Sequence, residues 1–192
     1  MSAAVAERVY SPEDYLAQER IAEHKSEFMD GRIYAMTGAS RAHNLITVNL
    51  ARSLGNQLLN RPCEAYISDM RVKAADARSY RYPDVAVVCG RPEFEDEHAD
   101  TLLNPTLLIE VLSPCTEAGD RGEKFVEYRC IPSLKQYILV EQDKPRIERY
   151  ERQRDGWLLT ETAGLDATVS LDAVGCVLAL AEVYDKVFGV PD

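Results

Sequence analysis

The stretch Thr106-Leu107-Leu108-Ile109-Glu110-Val111-Leu112 is almost wholly apolar and carries one carboxylate near its end. An apolar run of this length is typical of a strand that is covered on both faces, as in the middle of an α/β sheet. A carboxylate inside such a strand is costly unless it is paired, hydrogen-bonded or bound to a metal. Glu110 therefore indicates that the interior of the sheet holds a polar partner or a site.

A second carboxylate stands at the start of another apolar strand. Asp84 follows Pro83 and precedes the run Val85-Ala86-Val87-Val88. If the two strands are neighbours, Asp84 and Glu110 lie close together, and like charges within about 4 to 6 Å repel unless a cation separates them. Because the ligands are oxygen atoms, the ion that suits them is Mg²⁺ or Mn²⁺.

A predicted helix over residues 117–130 supplies a cation on a consistent face. Asp120, Lys124 and Tyr128 are spaced at i, i+4 and i+8, so all three point in roughly one direction. If this helix packs against the Glu110 strand, the Lys124 ammonium reaches the carboxylates. The alternative is an ordinary Asp120 to Lys124 pair on a solvated helix face.

Other elements follow from capping residues, turn residues and hydrophobic periodicity. An opening helix begins at Ser11 and ends before Lys25, and a hairpin over residues 25–37 turns at Asp30-Gly31, which places Glu27 opposite Tyr34. A further helix is predicted over residues 40–60 and a terminal one ending near residue 188; strands are predicted over residues 65–74, 82–89, 106–112, 134–141, 146–151 and 157–162, with one more strand after them. The core order helix, strand, strand, strand, helix, strand predicts an α/β fold with a mixed central sheet, an N-terminal helix and hairpin, and a C-terminal β extension.

Composition limits the classes of protein. The chain has 192 residues, a formal net charge of -10 and 46% hydrophobic residues, which predicts one domain over residues 1–192. No apolar stretch is long enough to span a bilayer and the first residues do not resemble a secretory signal, so we expect a cytoplasmic protein without a membrane partner. Five scattered cysteines without a CxxC pair predict reduced thiols. The negative charge disfavours loose binding to nucleic acid, so such a role needs a local basic patch.

The best local patch lies just before the Asp84 strand. Arg71, Lys73 and Arg81 cluster there, and Arg41 at the start of the long helix is a further candidate. These four residues are the expected contacts to phosphates, although charges on exposed strands need no function.

Taken in order, several motifs resemble the PD-(D/E)XK nuclease superfamily and, within it, the Uma-two family of bacterial endonucleases. The motifs are Pro12-Glu13-Asp14-Tyr15-Leu16, Glu27-Phe28-Met29-Asp30-Gly31, Tyr82-Pro83-Asp84, Leu108-Ile109-Glu110-Val111-Leu112-Ser113-Pro114, and Asp120, Lys124 and Tyr128. The resemblance runs from about residue 11 to residue 188. It implies a restriction-endonuclease-like core in which Asp84, Glu110 and the Val111 carbonyl bind Mg²⁺ or Mn²⁺.

The chain departs from the superfamily pattern at one position. The pattern places a lysine two residues after the glutamate, where this chain has Leu112. Lys124 is the expected substitute, and Lys73 is a less favoured one. The resemblance also makes Glu27 and His43 candidates for the site, against a surface pair of Glu27 with Lys25 or Arg32 and a purely structural His43.

The sequence therefore predicts a metal-dependent endonuclease with Asp84, Glu110, Lys124, Glu27 and His43 in its site. The expected substrate is DNA, and a homodimer is expected because a duplex has two strands. One alternative is a catalytically silent protein that keeps the fold and binds nucleic acid or regulates. Another is an α/β scaffold in which Glu110 merely pairs with a buried cation.

Overall fold

The computed structural model describes residues 9–74, 78–114 and 116–189. Its helical segments are α1 (Pro12–Glu19), α2 (Arg41–Leu58), α3 (Glu117–Gly119), a π-helical turn (Asp120–Lys124), α4 (Phe125–Tyr128) and α5 (Leu180–Val183). Its strands are β1 (Ser26–Met29), β2 (Arg32–Ala35), β3 (Cys63–Ile67), β4 (Arg71–Ala74), β5 (Ser79–Arg81), β6 (Val85–Cys89), β7 (Thr101–Leu102), β8 (Leu107–Val111), β9 (Gln136–Val140), β10 (Arg146–Gln153), β11 (Gly156–Ala163), β12 (Thr168–Leu171) and β13 (Cys176–Ala179).

A six-stranded mixed sheet forms the centre, in the order β11-β10-β9-β8-β6-β3. Strand β8 pairs antiparallel with β6 and parallel with β9, and every residue of β8 and β9 is buried. The apolar run that contains Glu110 is thus a central strand covered on both faces, as its composition predicts. The mixed α/β class is confirmed.

The expected strand over residues 65–74 is instead two strands in different sheets. Strand β3 is an edge of the central sheet, whereas β4 belongs to a five-stranded sheet in the order β2-β1-β5-β4-β7. The chain changes direction at Ser68, whose φ of 47° lies in the left-handed region, and the Ser68 amide donates to the Asp84 carbonyl at 3.1 Å. The expected strand over residues 82–89 is shorter than predicted, because β6 begins only at Val85. Apolar content did not reveal the break between β3 and β4 because both strands contain buried or half-buried residues.

Helix α2 covers one face of the central sheet. Ile46, Leu50, Leu54 and Leu58 recur at helical spacing, and all four are buried in one cluster with residues of β6, β8 and β9. The helix begins after Ser40, whose hydroxyl accepts a hydrogen bond from the His43 amide at 3.1 Å. This cap places His43 in the first turn of the helix.

The helix expected over residues 117–130 is a continuous helical segment with one wide turn. Asp120 to Lys124 form a π turn between α3 and α4, a type of irregularity that is frequent at functional sites. The tail differs more from expectation. Instead of one strand and a terminal helix ending near residue 188, it has the β12-β13 hairpin and the four-residue helix α5, which ends at Val183.

Two cysteines contradict the expectation of five reduced thiols. Cys63 and Cys89 face each other across the β3-β6 ladder and form a disulfide. They are 26 residues apart, so only the strand register brings them together. Cys130 and Cys176 are free, and Cys115 lies outside the described residues.

Within the described ranges, the structure contains no helix with the length and apolar character needed to cross a membrane.

Candidate active site

Glu110 is the centre of the candidate site. The residue is only 3% exposed. The Glu110 Oε1 accepts hydrogen bonds from the Lys124 ammonium and the Tyr128 hydroxyl, both at 3.1 Å. The residues at i+4 spacing on the helical segment therefore meet the strand carboxylate. Burial raises the pKa of Glu110 well above its ordinary value; the Lys124 charge opposes this effect, and the nearby Asp120, Asp84 and Glu27 carboxylates add to it.

Lys124 is surrounded by carboxylates. Its Nζ lies 3.1 Å from Glu110, 3.0 Å from Asp120 and 3.5 Å from Glu27. Burial alone lowers the pKa of a lysine, but the three carboxylates outweigh burial and raise the pKa of Lys124 above its ordinary value. The surrounding carboxylates therefore favour the charged ammonium form of Lys124.

Asp84 lies where β6 begins, next to the end of β8. Its Oδ2 accepts a hydrogen bond from the Val111 amide at 2.7 Å and lies 3.2 Å from His43 Nε2. Burial lowers the pKa of His43, but contact with Asp84 outweighs this effect and the net shift is upward. The first turn of α2 and the end of β8 thus fix one carboxylate oxygen of Asp84.

Glu27 reaches the site from the β1-β2 hairpin. Its Oε2 pairs with Arg81 at 2.9 Å and its Oε1 accepts from the Tyr82 amide at 3.3 Å. Arg81 is 5% exposed and also pairs with Glu127 at 2.9 Å. Arg81 therefore ties the hairpin to α4. Sequence reasoning missed this role because the partners come from separate elements with no fixed spacing.

These residues line a common cavity of about 640 Å³. Its walls include Glu27, His43, Asp84, Glu110, Val111, Asp120 and Lys124, while the β2-α2 connection forms one rim. Carboxylates dominate the interior. Their negative charges therefore favour the binding of a cation in this cavity.

The donor set fits a divalent ion. Both contacts to Asp84 engage Oδ2 and both to Glu110 engage Oε1, so Oδ1 and Oε2 receive no hydrogen bond from the described residues. Carboxylate and carbonyl oxygens are the ligands that Mg²⁺ and Mn²⁺ prefer. Within the described ranges, no three His, Cys, Asp or Glu side chains form a ready-made metal site. An ion here would need water or substrate oxygens to complete its ligand shell.

The four basic residues predicted to contact phosphates make contacts within the protein instead. Arg71 is 3% exposed and pairs with Asp100 at 2.5 Å, and Lys73 pairs with Glu95 at 2.5 Å. Arg81 is buried as described above. Arg41 is exposed and donates to the Lys186 and Val187 carbonyls at 3.0 and 3.4 Å. The structure thus places three of the four guanidinium or ammonium groups against carboxylates, and only Arg41 lies on an exposed helix end.

Fold and site together define a class: a mixed α/β nuclease fold with acidic residues at the ends of two neighbouring strands and a lysine beside them. The Uma2 family model, described as "Putative restriction endonuclease", matches residues 12–181, so the chain belongs to the Uma2 (Uma-two) family. Family membership supports a nuclease.

Relatives and a solved structure agree with this assignment. Two proteins of Synechocystis sp. (strain ATCC 27184 / PCC 6803 / Kazusa), both named as uncharacterized, are similar along most of the chain. Protein sll1609 is 39% identical over 170 residues, which is 88% of this chain and 96% of that protein. Protein slr1290 is 37% identical over 175 residues, or 91% and 90%. A crystal structure of a putative nuclease belonging to DUF820 from Anabaena variabilis ATCC 29413 superposes with a TM-score of 0.76 at 17% identity, covering 93% of this chain and 99% of that one. At this identity the likeness shows the fold alone.

Proposed function

We propose that the protein is a metal-dependent endonuclease that hydrolyses phosphodiester bonds in DNA. Asp84, Glu110 and the Val111 carbonyl are the proposed ligands of Mg²⁺ or Mn²⁺. The observation that carries the proposal is the contact of Lys124 with Glu110 at 3.1 Å. It supplies, from a helix, the ammonium group that Leu112 cannot supply from the strand.

In the proposed reaction a water molecule loses a proton to solvent as its oxygen bonds to phosphorus, the ester P–O bond breaks, and the leaving oxygen takes up a proton from solvent. A bound divalent ion would supply Lewis acidity at the phosphate. Lys124 stabilises the negative charge that develops on the phosphoryl oxygens, because its ammonium is held in a buried site where water does not screen it. Tyr128 orients Glu110, and His43 with the Val111 amide orients Asp84.

Glu27 has a positioning role in this proposal. It lies 3.5 Å from Lys124 and is itself fixed by Arg81, so it restricts where the ammonium can move. One such site cuts one strand. A homodimer with isologous contacts would cut both strands of a duplex, and the ratio of linear to nicked plasmid reports this.

The test uses supercoiled plasmid and a mixed-sequence single-stranded oligodeoxynucleotide, each with Mg²⁺, Mn²⁺ or EDTA. The wild type should cut with metal and not with EDTA. Asp84→Asn keeps the shape of the side chain but removes its charge, and Lys124→Met removes the ammonium; each should lower the cleavage rate by about 10²-fold or more.

The matched control is Lys73→Met. Lys73 is also partly buried and also paired with a glutamate, but it lies in the other sheet. This variant should retain the wild-type cleavage rate. Cleavage that persists in Asp84→Asn, or loss that is equal in Lys73→Met and Lys124→Met, would contradict the proposed site.

A second candidate is a scaffold in which Glu110 merely pairs with the buried Lys124, and one observation favours it. Lys124 already has three carboxylate neighbours, so the cluster is partly neutralised without a metal. Titration with Mn²⁺ separates the candidates, because a ligand that binds only the folded state raises the midpoint of thermal unfolding. We expect a rise in the wild type and none in Asp84→Asn. No rise in the wild type, together with no cleavage, would favour the scaffold.

A further inference from the structure

The β1-β2 hairpin presents an aromatic side chain on the same face as Glu27. Glu27 and Tyr34 are directly opposed in the antiparallel register. Opposed residues share a face, and their Cβ atoms lie about 5 Å apart. The next pair, Phe28 and Ile33, faces the other way into the cluster around Tyr15. Since Glu27 contacts Lys124, the Tyr34 ring lies beside the proposed catalytic cluster.

Tyr34 is also open to an incoming molecule. It is 40% exposed and Met36 is 36% exposed, and both line the cavity that contains Asp84 and Glu110. The Tyr34 hydroxyl makes no hydrogen bond to any residue in the described ranges, unlike the buried Tyr128. Both side chains are therefore accessible to a molecule that enters the cavity.

The pairing of basic side chains with carboxylates limits how the protein can bind the phosphates of DNA. Proteins that hold duplex DNA draw much of their affinity from lysine and arginine contacts to phosphates. Here Arg71, Lys73 and Arg81 are engaged by carboxylates, and the whole chain has a net charge of -10. Proteins that bind single strands also gain affinity from stacking of bases on aromatic side chains, which does not depend on sequence.

We propose that Tyr34 is a stacking platform for the nucleobase next to the scissile phosphate, so the site takes a nucleotide whose base is displaced from the helical stack. This inference rests on the proposed function. It assigns a substrate class: single-stranded or locally unpaired DNA is cut in preference to a fully paired duplex. Met36 extends the same apolar wall.

The test compares kcat/KM for one oligodeoxynucleotide as a single strand and as a blunt duplex. The wild type should favour the single strand. Tyr34→Ala should lower kcat/KM on the single strand about tenfold, chiefly through KM, because stacking on one base has about this value. Tyr34→Phe keeps the ring and should retain the wild-type value. Leu158→Ala, which changes an exposed apolar residue of β11, is the matched control and should also retain it.

A set of single-stranded oligodeoxynucleotides, each lacking the base at one position, provides a stronger test when kcat/KM is measured for each. If the base stacks on Tyr34, removing the base at one position should mimic Tyr34→Ala, and the two losses should not add. Equal activity of Tyr34→Ala and the wild type, equal loss in Tyr34→Phe, or a preference for the blunt duplex would overturn the inference. In each of those cases cleavage itself persists and the proposed function stands. A wild type that cuts neither probe overturns both.

Discussion

Leu112 explains why the ammonium comes from a helix. It is 3% exposed and packs in a cluster with Tyr128, Tyr137 and Leu139. A lysine at position 112 would bury its charge among these side chains at a high cost in free energy. Lys124 instead approaches Glu110 from the π turn, where Asp120 is a second partner at 3.0 Å. The site thus keeps its charges without disturbing the apolar core.

At the residue scale, Asp100 gives a pH-dependent prediction. Its carboxylate accepts hydrogen bonds from Arg20 and pairs with Arg71, and both contacts favour the charged form. Burial alone would raise the pKa of Asp100, but the two arginines outweigh burial and the pKa is lowered. A lowered folded-state pKa means that the stabilisation is present above the unfolded pKa of about 3.9 and is lost as pH falls through the folded pKa. Asp100→Asn should therefore lower the free energy of unfolding by about 1 to 2 kcal/mol at neutral pH, since Arg71 stays buried, and by less in acid.

Urea unfolding at neutral and acidic pH measures this difference. Asp69→Asn is the control, because Asp69 also pairs with a cation, Lys25, but its side chain is 85% exposed. Its effect should stay within about 0.5 kcal/mol. A loss in Asp100→Asn that does not shrink toward acid would contradict the assignment.

The sequence predicted the relative positions of side chains within one element better than it predicted contacts between elements. The spacing of Asp120, Lys124 and Tyr128 indicated one helix face, and the structure brings all three toward Glu110. The cluster of Arg71, Lys73 and Arg81 indicated a basic patch. Their carboxylate partners include Asp100 and Glu127, which lie far along the chain and are invisible to spacing arguments. Net local charge therefore overstated the available positive surface.

At the element scale, local turn chemistry was decisive where it was present. The Asp30-Gly31 pair predicted the hairpin and the register of Glu27 with Tyr34, which is confirmed. No glycine or proline marks the break between β3 and β4, where Ser68 adopts a positive φ. That break depends on the Ser68 amide reaching the Asp84 carbonyl, a tertiary contact.

The hairpin turn gives the element-scale prediction. Gly31 has a φ of +83°, and an added Cβ would lie 2.5 Å from Val9 Cγ1, so Gly31→Ala combines backbone strain with a clash. We expect a loss of about 1 to 2 kcal/mol in the free energy of unfolding. Because the hairpin carries Glu27 and Tyr34, cleavage of DNA should fall as well. Gly38→Ala is the control: an added Cβ meets nothing within 4 Å, and stability should change by less than about 0.5 kcal/mol. Equal effects of the two substitutions on thermal unfolding would refute the role of the turn.

At the scale of the whole molecule, the described residues form two large sheets, the β12-β13 hairpin and three apolar clusters, and the site residues come from several of these elements. The candidate residues come from the hairpin, α2, the start of β6, β8 and the helical segment after it. The order of these elements was predictable because each has its own periodicity. The assignment of strands to two sheets was not, since strands of both sheets have buried apolar residues.

The Cys63–Cys89 disulfide ties the edge strand β3 to β6 and gives the prediction for the whole chain. A cross-link that closes a loop of this size restricts the unfolded ensemble, which corresponds to about 3.5 kcal/mol in the chain-entropy model. A reductant should therefore lower the midpoint of urea unfolding of the wild type, and thiol titration of the denatured protein should count two more thiols after reduction. The double variant Cys63→Ala, Cys89→Ala should be insensitive to the reductant, whereas Cys130→Ser, which changes an exposed free thiol, should respond as the wild type does. An unchanged thiol count in the wild type would show that Cys63 and Cys89 are reduced in solution, as their spacing in the sequence had suggested.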